Sequence, residues 1–311
     1  MAILVVAGFH ANEWAAWWPC LKAALPGERL VRVRSECPAD EIDIALVANS
    51  PVGALQGLPS LRLIQSLWAG VDKLLADPTV PVDVPLARMV DPAMNLLMAE
   101  TALWAVLSLQ RGFFGYAAQQ RERRWQQHLP VRVEDLTVAV LGLGQMGACT
   151  ALALAARGYR VLGWSARGAS LDGVTTHAGA AALPQVLAQT NVVVNLLPLT
   201  PATTGIFNAA TLAQLPRGAS LVNLARGAHV VDADLLAALA SGQIAHAVLD
   251  AFHIEPLPAD HAFWSHPGVT VLPHVAAPTD PRSAAHVVAA NVRALREGRP
   301  LSHCVDRSWG Y

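Results

Sequence analysis

Three side chains suited to reducing a carbonyl that sits beside a carboxylate occur in the second half of the chain. They are Arg226 in NLARGAHVVD, Glu255 in FHIEPLP and His274 in VLPHVAAP. A guanidinium is planar and forked, so Arg226 can clamp a carboxylate and polarise the neighbouring ketone. An imidazole gains and loses a proton near neutral pH. His274 can therefore give a proton to the ketone oxygen while hydride reaches the carbon, and take it back in reverse. Glu255 would favour the charged ring and fix its orientation. Singly, each has a plainer reading: a structural strand-end histidine, a surface carboxylate, an arginine capping a loop. As a set they ask for a small 2-oxo or 2-hydroxy acid and for a hydride carrier.

The carrier has its own signature. The string GLGQMG, Gly142 to Gly147, follows the apolar run TVAVL and opens a helical stretch, the setting a dinucleotide fingerprint requires. Gly142 permits the tight turn, Gly144 leaves room for a pyrophosphate, and Gly147 lets helix and strand pack. Gln145 and Met146 lie within the turn, and the phosphates would rest on the helix N-terminus. An NAD site places a carboxylate about 20 residues past the first glycine. The sequence there is Gly163-Trp164-Ser165-Ala166-Arg167, without an acid. A hydroxyl at Ser165 and a cation at Arg167 suit a 2′-phosphate, so NADP(H) is expected over NAD(H). Read plainly, Arg167 is a solvated loop arginine.

The elements that must position these groups are legible as apolar runs. Short buried-type strands are expected at 2–7, 43–48 and 61–67, with a helix carrying Trp14, Trp17, Trp18 and Leu21 between the first two. Further strands fit 137–141, 159–164, 192–196, 219–224, 245–249 and 268–272. Helices fit 92–112, 146–157, 181–189, 232–240 with Asp232 as cap, and 280–297; 119–130 reads as a loop with a helical piece. Strands alternating with helices build α/β domains with parallel sheets. Ligands of such sheets lie beyond the carboxyl ends of the strands. Asn195, Leu197 and Pro198, Ala225 and Arg226, Asp250, and His274 all follow predicted strands.

The 311 residues suit two domains. With 53% hydrophobic and 14% charged residues, the chain has ample core and little material for a disordered tail. A formal net charge of −1 gives no field for nucleic acid or an anionic membrane. Cys20, Cys37, Cys149 and Cys304 form no CxxC pair and read as reduced thiols of a cytoplasmic protein. The first apolar run lacks a basic leader and reads as a strand. Glu100 interrupts the apolar stretch 94–110, which reads as a buried helix rather than a membrane span. No histidines have HExxH spacing, so no metal is expected.

These motifs together resemble the D-isomer-specific 2-hydroxyacid dehydrogenase family, and within it the glyoxylate/hydroxypyruvate reductase A subgroup. The carriers are SLWAGVD at 66–72, VLGLGQMG at 140–147, NLLPLTPATTGI at 195–206, LVNLARGAHVVD at 221–232, LDAFHIEPLP at 249–258, VTVLPHVAAPT at 269–279 and the VDRSWGY tail. The resemblance implies two Rossmann-like domains with an interdomain active-site cleft: 1–92 with 281–311 for substrate, and an inserted dinucleotide domain, 93–280. It implies that Arg226 binds substrate, that Glu255 and His274 form the carboxylate–histidine pair, and that N–H groups at Ala69 and Gly70 hold the substrate carboxylate. Leu197, Pro198, Thr203, Ala225 and Asp250 would line the nicotinamide half of the cofactor; Trp164, with Ser165 and Arg167, is a further candidate cofactor residue at the end of the second strand. Trp68 stands where many members have glycine, which would narrow the pocket toward two- or three-carbon acids. A homodimer is implied, with 92–112 and the following loop in the interface; Trp125 would either pack there or reach the partner's site. An NAD(H)-linked dehydrogenase of another 2-hydroxy acid and a non-enzymatic dinucleotide-sensing scaffold are the alternatives.

Overall fold

Each strand expected from the apolar runs is present within two residues of its predicted bounds in the computed structural model of the protein, which describes all 311 residues. The chain divides into two compact units, Met1–Ala93 with Thr279–Tyr311, and Met94–Pro278.

The smaller unit is built on β1 (Ala2–Ala7), β2 (Arg29–Val31), β3 (Ile42–Ala48), β4 (Leu63–Ser66) and β5 (Leu86–Ala87), with α1 (Ala11–Ala24) after β1 and α2 (Asp72–Ala76) after β4. All neighbours are parallel, in the order β2-β1-β3-β4-β5. β3 is buried along its whole length, as a central parallel strand covered on both faces must be. β2 and β5 escape sequence prediction because two or three residues carry no readable period.

The chain then runs through α3 (Pro92–Arg111) and α4 (Phe113–Arg121); only the end of α4 enters the 119–130 stretch, the rest of which is loop, as expected. α3 is long and apolar enough to span a membrane, yet its Met98, Ala102, Ala105 and Val106 pack with Val138, Val140 and Val194 in the larger unit's core. Pro92 opens α3 at no cost in hydrogen bonds, and Asp91 accepts from the Ala93 N–H at 3.0 Å.

The larger unit holds β6 (Thr137–Leu141), α5 (Gln145–Ala156), β7 (Arg160–Ser165), β8 (Thr175–Ala178), α6 (Leu183–Leu187), β9 (Val192–Asn195), α7 (Ala209–Leu212), β10 (Ala219–Asn223), α8 (Asp232–Ala240), β11 (Ile244–Leu249) and β12 (Val269–Val271). These seven strands are parallel in the order β12-β11-β10-β9-β6-β7-β8. β8, sequence TTHA, was not predicted, since a polar edge strand shows no apolar run. Asp232 is a correction: Val231 is the cap residue of α8 and Asp232 the first helical one, with no side-chain cap bond. Its charge still suits the positive helix end. α9 (Pro281–Arg296) closes the smaller unit, with the Asp280 carboxylate capping the Arg282 N–H at 3.0 Å.

Candidate active site

Strand register assembles the site. Across the larger sheet Leu141 pairs with Asn195, Asn195 with Asn223, Asn223 with Leu249, and Leu249 with Val271. The carboxyl ends of five strands are therefore level. The chain leaves β6 toward β7 on one side, while β9 lies on its other side, so the β6/β9 gap is the switch point where such sheets bind ligands.

The fingerprint turn fills one lip of that gap. Gly142 has φ +95° and a Cβ there would lie 2.6 Å from the Leu196 carbonyl oxygen; a Cβ on Gly147 would lie 1.7 Å from the Gly142 carbonyl oxygen. Glycine alone allows this contact of strand, turn and helix. A Cβ at Gly144 would meet nothing within 4 Å, so the turn is open where a pyrophosphate would approach the first N–H groups of α5. These features fit a dinucleotide. At the end of β7 the fit is narrower than expected. Trp164 is core, 5% exposed, its indole N–H given to the Gly179 carbonyl at 2.9 Å. The Ser165 hydroxyl is buried and without a partner, because the strand turns it inward. The exposed group at this end is Arg167.

On the other side of the gap two of the reactive side chains meet. His274 Nδ1 lies 2.9 Å from Glu255 Oε2, with the two side chains 50% and 37% exposed. Glu255 Oε1 accepts from the Phe252 N–H at 2.9 Å. The carboxylate can only accept, so Nδ1 of the ring carries the hydrogen and Nε2 is the nitrogen left for chemistry. His274 adopts φ +55°, uncommon for a residue with a side chain. Asp250, 1% exposed, fixes the next two residues: its oxygens accept from the Val275 and Ala276 N–H groups at 2.7 and 3.0 Å. Burial raises the Asp250 carboxyl above its ordinary range, and these two N–H bonds oppose that shift. Asp250 thus serves the site by holding the chain behind His274.

Arg226 follows β10 by three residues, and its Nη1 donates to the Ala225 carbonyl at 2.8 Å. Sequence reasoning missed what shapes its turn. Asn223 Nδ2 donates to the Arg226 carbonyl at 2.9 Å, and Asn223 Oδ1 accepts from Asn195 Nδ2 at 2.9 Å. Asn195 Nδ2 also meets Nδ1 of His229, a wholly buried ring whose Nε2 faces the Pro198 carbonyl at 3.3 Å. Thr203 Oγ1 donates to that carbonyl at 2.7 Å. Leu197 and Ala225 are buried beside this network. The signal available was two asparagines ending adjacent strands, but no spacing rule ties them to His229.

In the smaller unit, Trp68 follows β4. Its carbonyl accepts from the Met89 N–H at 3.1 Å, and its N–H donates to Ser66 Oγ at 3.0 Å. Its indole meets Phe9 and Trp17 edge-on, with centroids 5.9 and 6.0 Å away. Ala69 and Gly70 are half-buried in the same turn.

Comparisons with known proteins converge on one family. Residues 103–276 match the family model described as D-isomer specific 2-hydroxyacid dehydrogenase, NAD binding domain. The chain is 41% identical over 310 residues to a glyoxylate/hydroxypyruvate reductase A of Serratia proteamaculans and 39% identical over 308 residues to that of Yersinia enterocolitica, covering 97% of each chain in both cases. Among solved structures, a D-isomer specific 2-hydroxyacid dehydrogenase of Xanthobacter autotrophicus Py2 in complex with NADPH and MES superposes with a TM-score of 0.94 at 41% identity, covering 100% of this chain and 99% of that one. An NADPH-dependent glyoxylate/hydroxypyruvate reductase of Sinorhizobium meliloti in complex with NADP and sulfate gives 0.92 at 36% identity, with the same coverage.

Proposed function

The chain belongs to the D-isomer specific 2-hydroxyacid dehydrogenase family, and from that premise we propose that it reduces glyoxylate to glycolate and hydroxypyruvate to D-glycerate with NADPH. The observation that carries this reading is the His274–Glu255 pair, held at 2.9 Å on the same strand-end edge as the dinucleotide turn. The names of the relatives and the NADPH and NADP in their structures support the substrate and cofactor.

NADPH, when bound, supplies the hydride. Arg226 binds the substrate carboxylate and polarises the ketone. His274 Nε2 gives the proton to the carbonyl oxygen, and Glu255 holds the ring by Nδ1 so that Nε2 faces the reaction. Gly144, Gln145 and Met146 would hold the pyrophosphate, on the turn that Gly142 and Gly147 make possible. Arg167 would meet the 2′-phosphate, so NADPH preference would rest on one cation. The segment Leu197–Pro198, Thr203 and Ala225 shapes the floor for the nicotinamide. The smaller unit is the substrate-binding domain, with Ala69 and Gly70 N–H groups for the carboxylate and Trp68 limiting substrate size.

A homodimer fits the apolar side chains exposed on one stretch of the larger unit: Leu96 at 60%, Trp104, Leu107, Phe113, Trp125 at 93% and Leu129 at 97%. Such a cluster marks a protein interface, and sedimentation at equilibrium tests it. Four free cysteines suit the cytoplasm. Steady-state assays of glyoxylate and hydroxypyruvate with NADPH and NADH in parallel test the reaction. Turnover with a higher kcat/KM for NADPH is expected. NADPH binding without consumption of any oxo acid would return the chain to a sensing scaffold.

A further inference from the structure

Glu255 stands on a turn that is anchored from behind. A Cβ on Gly227 would lie 2.0 Å from the Phe252 carbonyl carbon and 2.4 Å from the His253 nitrogen. The residue after Arg226 and the turn bearing Glu255 therefore touch backbone to backbone. His253 fastens the same two segments again: its Nε2 lies 2.7 Å from the Val230 carbonyl oxygen. A carbonyl only accepts, so His253 donates through Nε2. Asp232, at the start of α8, faces this ring, with Oδ1 3.6 Å from His253 Nε2 and Oδ2 3.4 Å from His261 Nε2. One carboxylate thus faces two imidazoles, one in the turn and one eight residues on.

From this arrangement we infer that His253, held between the Val230 carbonyl and Asp232, is a positioning residue that sets the Glu255 carboxylate against His274. The inference deepens the proposed function and rests on it for its kinetic part. The turn 252–255 has one internal bond to Glu255, from the Phe252 N–H. That bond aims the carboxylate only as well as Phe252 itself is placed. Gly227 supplies the close contact with Phe252, and His253 adds a directional bond to Val230 of the same segment. Without that bond the turn can shift by a fraction of an ångström. Glu255 Oε2 then loses its line to Nδ1, and the ring of His274, half exposed, is free to take the tautomer that water favours. The contacts of His253 are to Val230 and Asp232, so its loss is expected to act on turnover through ring orientation, while carboxylate binding by Arg226 remains.

The test compares His253→Ala and His253→Gln with the wild type, using protein labelled with 15N-histidine. Two-bond 1H–15N correlations report which ring nitrogen of His274 carries the hydrogen, with His274→Gln assigning the signals. Wild type is expected in the Nδ1–H form. His253→Ala is expected to shift toward the Nε2–H form and to lose about 10²-fold in kcat, with KM for glyoxylate and NADPH within about threefold of wild type. His253→Gln keeps an N–H donor for Val230 and is expected to restore both the tautomer and most of kcat. An unchanged His274 tautomer in His253→Ala overturns the inference, and so does a glutamine variant as impaired as the alanine one. If the wild type reduces neither oxo acid, the tautomer comparison still decides the positioning role, while the functional reading fails on its own.

Discussion

Two regions of this protein bring an acid to a base, and they differ in what surrounds them. At the strand ends of the larger unit, His274 and Glu255 meet with 50% and 37% of their side chains exposed. In the smaller unit, Arg296 of α9 reaches Asp43 of β3, whose side chain is 0% exposed, and Glu28 beside it. Arg296 Nη2 donates to Asp43 Oδ1 at 3.1 Å, and Nε and Nη2 donate to Glu28 at 2.9 and 2.8 Å. The Arg296 guanidinium holds the Glu28 carboxyl below its usual range, chiefly through that hydrogen bond. The first pair leaves half of the imidazole side chain exposed, with Nε2 outside the Glu255 bond. The second fixes its charges, and a group that never gives up its proton cannot catalyse its transfer. An imidazole at an open strand end suits proton transfer, and a guanidinium against a buried carboxylate suits structure.

The sharpest way to break the comparison is His274→Gln. It should lower kcat by about 10²- to 10⁴-fold and leave stability within about 0.5 kcal/mol, measured by steady-state kinetics and urea denaturation. Arg296→Met should do the reverse. It leaves Asp43 buried without its cation, at a cost of about 3–5 kcal/mol in urea stability, while kcat of the folded enzyme stays at the wild-type value. Should Arg296→Met lower kcat at full folding, or His274→Gln lower the urea midpoint strongly, the division fails.

The two regions were unequally legible in the sequence. His274, Arg226 and Asp250 could be listed because parallel strands end in apolar runs and ligands lie past those ends. Levelling of Asn195, Asn223 and Leu249 by register then does the rest. Asp43 and Arg296 are 253 residues apart, and neither stands in a motif. The carboxylate of Asp232 was legible as a helix-start residue, but its true neighbours, His253 and His261, lie in loops with no period to announce them. Hydrophobic period reads strands and helices. It does not read side-chain bonds that cross between loops.

A third region sharpens the contrast by pH. His246, within β11, has no acidic partner. Its ring stacks on Phe114, with centroids 4.5 Å apart and planes within 5°, and its Nε2 lies 2.9 Å from Thr270 Oγ1. Burial, with the charge of His266 adding to it, pushes this imidazole down to about 4. The folded state thus prefers the neutral ring, while the unfolded chain takes up a proton near pH 6.5. The unfolded state then binds more protons between those values, so stability is fully present above pH 6.5 and is lost as pH falls toward 4, by up to about 3 kcal/mol. Urea midpoints of wild type and His246→Gln should therefore converge as the pH is lowered through that window. Parallel curves would mean that the ring accepts its proton without cost.

The smallest effect concerns the aromatic wall of the smaller unit. Phe9 stacks on Trp17 with centroids 5.7 Å apart and planes 19° apart, and both rings take the edge of Trp68. The Trp68 backbone is tied to Met89 and Ser66, and its indole is restrained by its packing against Phe9 and Trp17. A pocket wall discriminates by roughly a factor of ten or more for each methylene it excludes. Trp68→Gly should therefore raise kcat/KM for 2-oxobutyrate relative to glyoxylate by about tenfold, with little change in the NADPH KM. A constant ratio across oxo acids of increasing length would show that the indole merely packs against Phe9 and Trp17, and that substrate size is limited elsewhere.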